Sequence, residues 1–257
     1  MVTEEDYRRF VARIDALSAA TKKALLSMWP RLDRSSMDAL AESLKRYMPS
    51  LVDRLGKVAA LAAAEYYDAA RAGVGGDYSA TTAGGSKLYE VERDIGYATA
   101  TAFTADALTD SAQMSAMVSF LAGTADRVVK SYSRETLQAN GDADEWCLGY
   151  YSVPSAGCSC AFCMMKSLQG YRNYMGEKLE HRVEGDAWHD HCSCQLVPRF
   201  DRRDDWTVER VKSYGAAYDA GVAHAVETVS GGDWSKPLKH QDVLAGMRQA
   251  SGGAITH

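Results

Sequence analysis

The side chains of this 257-residue chain that could do chemistry are concentrated in one short stretch. Five of the six cysteines lie in it, whereas the rest of the chain holds only one. Thiolate and imidazole are the ligands that tetrahedral zinc prefers, and two cysteines separated by two residues readily reach one ion. In order, the stretch contains Cys158-Ser-Cys160-Ala-Phe-Cys163 and, about 25 residues later, His189-Asp-His191-Cys192-Ser-Cys194.

We predict that this stretch binds a structural zinc ion. Cys160 and Cys163 form a Cys-x-x-Cys pair and supply the first two ligands. His189 supplies the third ligand, and Cys192 or Cys194 completes the set. All five residues are therefore predicted metal ligands.

The fourth ligand is not fixed by the spacing. Cys192 and Cys194 lead into residues 195–200, which are predicted to form a short strand ended by a proline. Since alternate residues of a strand share a face, either both cysteines face the metal or one of them is a spare. Cys158 lies close enough to the Cys-x-x-Cys pair to replace its first member. His191 could instead lie on the surface or beside a ligand.

Other uses of these cysteines remain alternatives. Disulfides would need an oxidising compartment, and the N-terminus shows no apolar signal segment, so we expect a reducing cytosol. A thioredoxin-like redox pair would need a βαβ context that the sequence lacks. A catalytic zinc would keep an open coordination position and a carboxylate base, and Glu184, Asp186 and Asp190 are close in sequence.

Composition narrows the class of protein. The formal net charge is −5, which argues against a strongly basic nucleic-acid-binding protein. The arginines near residue 200 alternate with aspartates, so we expect a solvated turn of mixed charge there. No apolar segment approaches the length needed to span a membrane. The sequence contains no glycine-rich phosphate loop and no nucleophile elbow, so we expect that the protein is not an enzyme.

The first 140 residues are predicted to form long helices. Apolar residues recur at helical spacing from Tyr7 to Leu17, and the segment around Pro30 ends this helix. Ser35 or Ser36 is predicted to cap the next helix. These signals favour a bundle of helices in the N-terminal half.

Proline and glycine divide the rest of that half. Because proline is favoured in the first helical turn, Pro49 is predicted to begin a long helix over about residues 49–72. The glycine-rich segment at 73–85 is predicted to be a flexible loop. The apolar face of the long helix is predicted to comprise Leu51, Leu55, Val58, Ala62 and Tyr66.

The pattern changes from residue 145 onward. A helix over about 110–138, ended by the glycine of Asn140-Gly-Asp142, precedes an aromatic strand at about 146–153. Further predictions are a strand near 171–174 and a helix over about 207–229.

The predicted fold class is a mainly α N-terminal portion of long helices, a small α+β module resembling a zinc knuckle, and a C-terminal helix. The predicted boundaries are 1–140 for a helical region, 141–203 for the Cys/His module, and 204–257 for a C-terminal helical tail. In so small a module, metal binding would supply folding free energy that burial alone cannot.

The order of these features resembles the MuF-like minor head proteins of tailed phages, as found in phages of actinobacteria. The resemblance touches residues 5–200 and is sharpest at 146–198. Its motif is Cys160-Ala-Phe-Cys163, a Gly170-Tyr171 turn, and Trp188-His189-Asp190-His191-Cys192-Ser193-Cys194 followed by Pro198.

The resemblance implies a minor capsid component of the virion, located in the capsid interior or at the portal vertex and made in the cytoplasm of the bacterial host. It also implies that the helical region 1–140 binds other head proteins. Its implied role is head morphogenesis or passage of the genome into or out of the head. Its implied partners are the portal protein, the major capsid protein or both. Contact with packaged DNA stays open, although the chain has no strong basic patch. Thiols of a virion that leaves the cell could oxidise later.

The alternative function is a metal-dependent nuclease of the HNH kind. Asp190-His191 beside a Cys-x-x-Cys pair is similar to the start of that motif. Such an enzyme also needs a metal-binding histidine or asparagine shortly afterwards. The next histidine is His224, and asparagine is absent from residues 175–257, so the structural role is favoured.

Overall fold

The computed structural model describes residues 2–155, 160–175, 192, 194–201, 205–252 and 254–255, with the side chains of 169–175 excepted. The predicted fold class is confirmed: the structure is mainly helical with a small two-stranded sheet and a C-terminal helix. The described elements are α1 Glu4–Met28, α2 Met37–Arg71, α3 Tyr89–Tyr97, α4 Ser111–Ala143, β1 Gly149–Val153, α5 Ala161–Met175, β2 Gln195–Arg199, α6 Trp206–Ser230 and α7 His240–Ala250.

Helix α1 begins where the sequence provides a reciprocal cap. The Thr3 hydroxyl accepts a hydrogen bond from the Asp6 backbone N–H, and the Asp6 carboxylate accepts one from the Thr3 N–H, both at 3.1 Å. Such a capping box satisfies backbone donors that have no partner within the helix. The predicted apolar face is confirmed, because Tyr7, Phe10 and Ile14 are buried.

The prediction that Pro49 begins a new helix is wrong. Ser36 caps α2 as expected by accepting a hydrogen bond from the Ala39 N–H, and the helix then runs without interruption to Arg71. An internal proline removes one backbone hydrogen bond and costs about 3 kcal/mol. Burial of Leu44 and Val52 on either side of it offsets that cost.

Helix α4 is the centre of the fold, since it packs against α1, α2, α3 and both strands. The predicted end at Asn140-Gly-Asp142 is one helical turn too early, because the helix continues to Ala143. Gly141 lies within the helix, at a position where its neighbours leave little room for a side chain. A Cβ atom there would lie 3.2 Å from the ring of Tyr150.

The glycine-rich segment between α2 and α3 is held against α4, where the sequence predicted a flexible loop. The Asn140 side chain donates to the Thr81 carbonyl at 2.7 Å and accepts from the Thr81 N–H at 2.9 Å. Thr136 makes the same two-way contact with Ala83. Side chains of α4 thus replace the partner strand that this extended backbone would otherwise need.

A buried ion pair closes the start of that segment. Arg71 donates from Nε to Asp144 at 2.7 Å, and both side chains are almost inaccessible to solvent. Another guanidinium nitrogen of Arg71 donates to the Gly75 carbonyl at 2.8 Å, and the Tyr67 hydroxyl donates to Asp144 at 3.2 Å. This network joins the end of α2 to the end of α4.

The two strands form an antiparallel pair in which Tyr151 lies opposite Val197. Buried residues of both strands, including Val153 and Leu196, belong to the same hydrophobic core as the N-terminal helices. A second core forms where α6 and α7 pack on α5, with Met164 and Met247 at its centre. The boundaries at residues 140 and 203 stay predictions.

The prediction of a strand near 171–174 is wrong, because these residues continue α5. The apolar face predicted for α2 is also partly wrong, since Val58 is 45% exposed. The alanine-rich turns of α2 bury Val52, Ala59 and Ala63 instead. Small residues there let α4 approach closely. Among the described residues, no helix is both long and apolar enough to cross a membrane.

Candidate metal centre

Two separate pieces of chain bring the cysteines together. Cys160 immediately precedes α5 and Cys163 lies in its first turn, while Cys192 and Cys194 precede β2. The four cysteines form a buried cluster against which the half-buried Phe162 packs. The Cys-x-x-Cys pair is thus presented at the start of a helix and the second pair at the start of a strand.

Three of the sulfur atoms converge closely enough to share one ion. The Sγ atoms of Cys163, Cys192 and Cys194 all lie within 4.8 Å of one another. Those of Cys163 and Cys192 are 3.7 Å apart. Zinc–sulfur bonds of about 2.3 Å at tetrahedral angles place two ligand sulfurs about 3.8 Å apart. The donor set and its spacing therefore fit a tetrahedral thiophilic metal.

The 3.7 Å between the sulfurs of Cys163 and Cys192 is too long for a disulfide, in which the sulfurs lie about 2.05 Å apart. The five cysteines that the structure describes are all free thiols, and they include Cys147 outside the cluster. In the described part of the chain, no other trio of His, Cys, Asp or Glu side chains converges in this way.

The other two predicted ligands, Cys160 and His189, are not among the three residues whose sulfurs converge. Cys160 is buried in the cluster, but its sulfur is not among the three that converge. His189 lies outside the described residues, as do the alternatives Cys158 and His191. The identity of the fourth ligand therefore stays a prediction, and the nuclease alternative, which requires His191, stays untested.

Arg134 of α4 fixes the second cysteine pair through its backbone. The buried guanidinium donates to the Cys192 carbonyl at 3.1 Å and to the Cys194 carbonyl at 2.9 and 3.0 Å. Its neighbour Ser133 donates to the Gln195 side chain at 3.0 Å. Sequence reasoning missed Arg134, because its partners are backbone carbonyls some 60 residues later in the chain and leave no local pattern.

The thiols of the cluster influence one another's ionisation. Hydrogen bonds with the Cys163 and Cys194 thiols, aided by the nearby Arg134 charge, strongly lower the pKa of Cys192. The hydrogen bond with Cys163 also favours ionisation of Cys194, but the hydrogen bond with Cys192, burial and the adjacent Cys192 charge outweigh it and raise the pKa of Cys194. Three thiolates side by side would therefore need a cation between them.

Strand β2, which follows the second cysteine pair, is paired with β1. Hydrogen bonds from two helices hold β1 in place. The Tyr7 hydroxyl of α1 donates to the Val153 carbonyl, and the Ser167 hydroxyl of α5 donates to the Ser152 carbonyl. Burial raises the pKa of Tyr7 well above its ordinary value, so this donor keeps its proton. The cluster is thus built on elements fixed from several sides.

A cavity of about 300 Å³ lies at the opposite end of the sheet, between β2 and the glycine-rich segment. Trp146 and Phe200 form part of its wall. The buried Arg199 also lines this cavity. Its charge is neutralised within the protein, because it pairs with Asp205 at 2.5 Å and donates to the Thr207 hydroxyl at 2.9 Å.

The fold and the site together define a mainly helical protein with a buried cysteine cluster that could hold a metal ion. The chain belongs to the VG15 protein family, a family of viral (phage) proteins, which it matches over residues 1–221. The match covers the N-terminal helices, the sheet, both cysteine pairs and most of α6. No curated protein and no solved structure matches the chain.

Proposed function

We propose that this chain is a minor capsid protein of a tailed phage, associated with the portal vertex and assisting head assembly or passage of the genome. Two observations support this role. The chain belongs to a viral family over residues 1–221. The motif that includes Cys160, Cys163 and Cys192 resembles that of MuF-like minor head proteins. In this proposal the portal protein or the major capsid protein is the partner.

We further propose that the cysteine cluster holds a structural zinc ion. The observation that carries this is the convergence of three buried sulfurs, those of Cys163, Cys192 and Cys194, within 4.8 Å. Zinc in such a site would neutralise the negative charge of the thiolates and add folding free energy. The fourth ligand in this proposal is His189 or Cys160.

Burial of the sulfur ligands favours a non-catalytic role for the metal in this proposal. A catalytic zinc keeps one position open to water or substrate. Here the side chains of Cys163, Cys192 and Cys194 expose 2% of their surface or less. We therefore propose that the ion shapes the protein rather than performing a reaction.

The decisive experiment examines phage particles. We expect mass spectrometry of purified virions to detect the chain in few copies, and imaging of the portal vertex to show density that disappears when its gene is deleted. Deletion is expected to reduce the yield of filled heads, and the wild-type gene supplied in trans should restore it. Infectious particles of normal yield that lack the chain would contradict the proposal.

A further inference from the structure

The exposed side of α2 carries a repeat that the hydrophobic core does not use. Tyr47, Val58 and Leu61 expose 51%, 45% and 52% of their surface, although their side chains are apolar. Two charged residues, Arg54 and Glu65, lie on the same side of the helix and are also exposed. Together with the half-buried Leu51 these residues form what we call the α2 seam: Tyr47, Leu51, Arg54, Val58, Leu61 and Glu65.

The spacing along the α2 seam alternates between four and three residues over its whole length. This is the a/d spacing of a heptad repeat, which places side chains in one line for packing against a second helix. The seam spans about 27 Å at 1.5 Å per residue. The apolar side chains of Tyr47, Val58 and Leu61 lie outside the hydrophobic core and are left at the surface in this line, so the seam points to a helical partner.

The charged residues of the seam favour a second copy of the same helix as the partner, in an antiparallel orientation. In an antiparallel pair of identical seams with Val58 opposite Leu61, Arg54 of each helix comes opposite Glu65 of the other. Two apolar layers at the centre are then flanked by two Arg–Glu pairs. A parallel pair in register would instead place Arg54 against Arg54 and Glu65 against Glu65, which is unfavourable.

We propose that the α2 seam is a self-association surface, through which two copies of this chain pair antiparallel about a two-fold axis near residues 59 and 60. A two-fold interface uses the same patch on both copies, as the self-complementary stretch from Arg54 to Glu65 allows. The Arg13–Glu65 pair within one copy, at 2.6 Å, is exposed on both sides and leaves Glu65 accessible to a second arginine. The proposal is independent of the portal-vertex role and of the metal.

Sedimentation velocity over a concentration series, in the presence of a thiol reductant, tests the apolar layers. We expect the wild-type chain to dimerise and Val58→Glu to raise the dimer dissociation constant about tenfold or more, because each dimer buries two new charges. Val229→Glu is the matched control, since Val229 is 61% exposed on α6, away from the seam. Circular dichroism checks that both variants fold.

Charge reversal tests the direction of pairing. Arg54→Glu is expected to weaken the dimer by placing carboxylates opposite each other, and the double variant Arg54→Glu/Glu65→Arg is expected to restore it. The lost contact with Arg13 is an exposed ion pair of about 0–1 kcal/mol and leaves this comparison intact. A wild-type chain that stays monomeric overturns the proposal. Equal effects of Val58→Glu and Val229→Glu, or no rescue by the double variant, also overturn it.

Discussion

Replacing Cys163 by serine removes a sulfur that lies 3.7 Å from that of Cys192 and is almost completely buried. We expect the wild-type chain to contain about one zinc per molecule by elemental analysis, and Cys163→Ser to contain almost none. The hydroxyl is a poor zinc ligand, and the two remaining sulfurs of the converging trio cannot hold the ion tightly.

The size of the effect on stability follows from linkage. A metal present at a thousandfold excess over its dissociation constant stabilises the folded state by about 4 kcal/mol. For a chain of this length each kcal/mol shifts the melting temperature by about 2–4 °C. Chelation should therefore lower the melting temperature of the wild-type chain by roughly 8–16 °C, and that of Cys163→Ser by much less.

Cys147→Ser is the matched control for this prediction. Cys147 is a free thiol outside the cluster, and its thiol donates to the Gly149 carbonyl at 3.3 Å. This variant should keep the zinc content and the chelation-induced shift of the wild-type chain. Equal zinc content in the wild-type and Cys163→Ser chains would refute the assignment. A wild-type chain without zinc whose cysteines resist thiol reagents until reduced would show disulfides instead.

Three further predictions test the packing that positions the site, each by chemical denaturation. Arg71→Ala leaves a buried carboxylate without its partner and should lower the free energy of unfolding by about 3–5 kcal/mol. Its control, Arg13→Ala, breaks an exposed ion pair and should lower it by less than about 1 kcal/mol. Equal losses of stability in the two variants would contradict the buried-pair interpretation. Gly56→Ala places a Cβ atom 2.5 Å from a tyrosine ring of α4 and should destabilise the chain by about 1–3 kcal/mol, while Gly215→Ala, with open space around it, should stabilise it by about 0.5–1 kcal/mol. Burial opposes ionisation of Asp94, but hydrogen bonds from two arginines and a threonine outweigh it and lower its pKa. The ionised carboxylate therefore stabilises the fold above the unfolded pKa of about 3.9, and this stabilisation is lost as pH falls through the folded pKa. Asp94→Asn should destabilise the chain at neutral pH and progressively less on acidification.

Local sequence signals were sufficient for most helices and for the strand pair. The Ser36 cap and the apolar repeat of α1 act within a few residues, so the sequence displays them directly. The clustering of the cysteines was visible for the same reason. Which sulfurs converge was not, because the two cysteine pairs approach each other only after α5 and β2 are in place.

The features that the sequence did not reveal are those decided by distant contacts. Pro49 stays within a helix because tertiary packing offsets the lost hydrogen bond. The glycine-rich segment is ordered by Asn140 and Thr136, which are about 55 residues away in the chain. Propensity describes only what each segment prefers alone, and here the long central helix provides the partners that overrule it.

That central helix also determines how the cysteine cluster is connected to the rest of the protein. Arg134 lies on α4 and binds the backbone carbonyls of Cys192 and Cys194, so its positive charge sits beside the thiolates. This guanidinium fixes the cysteine backbone to the helical bundle, and in the proposed metal site it would also offset the negative charge of the thiolates. An isolated zinc knuckle folds around its ion alone, whereas this cluster is anchored to α4. Loss of the metal would therefore loosen the packing of β2 on α4 as well as the cluster itself.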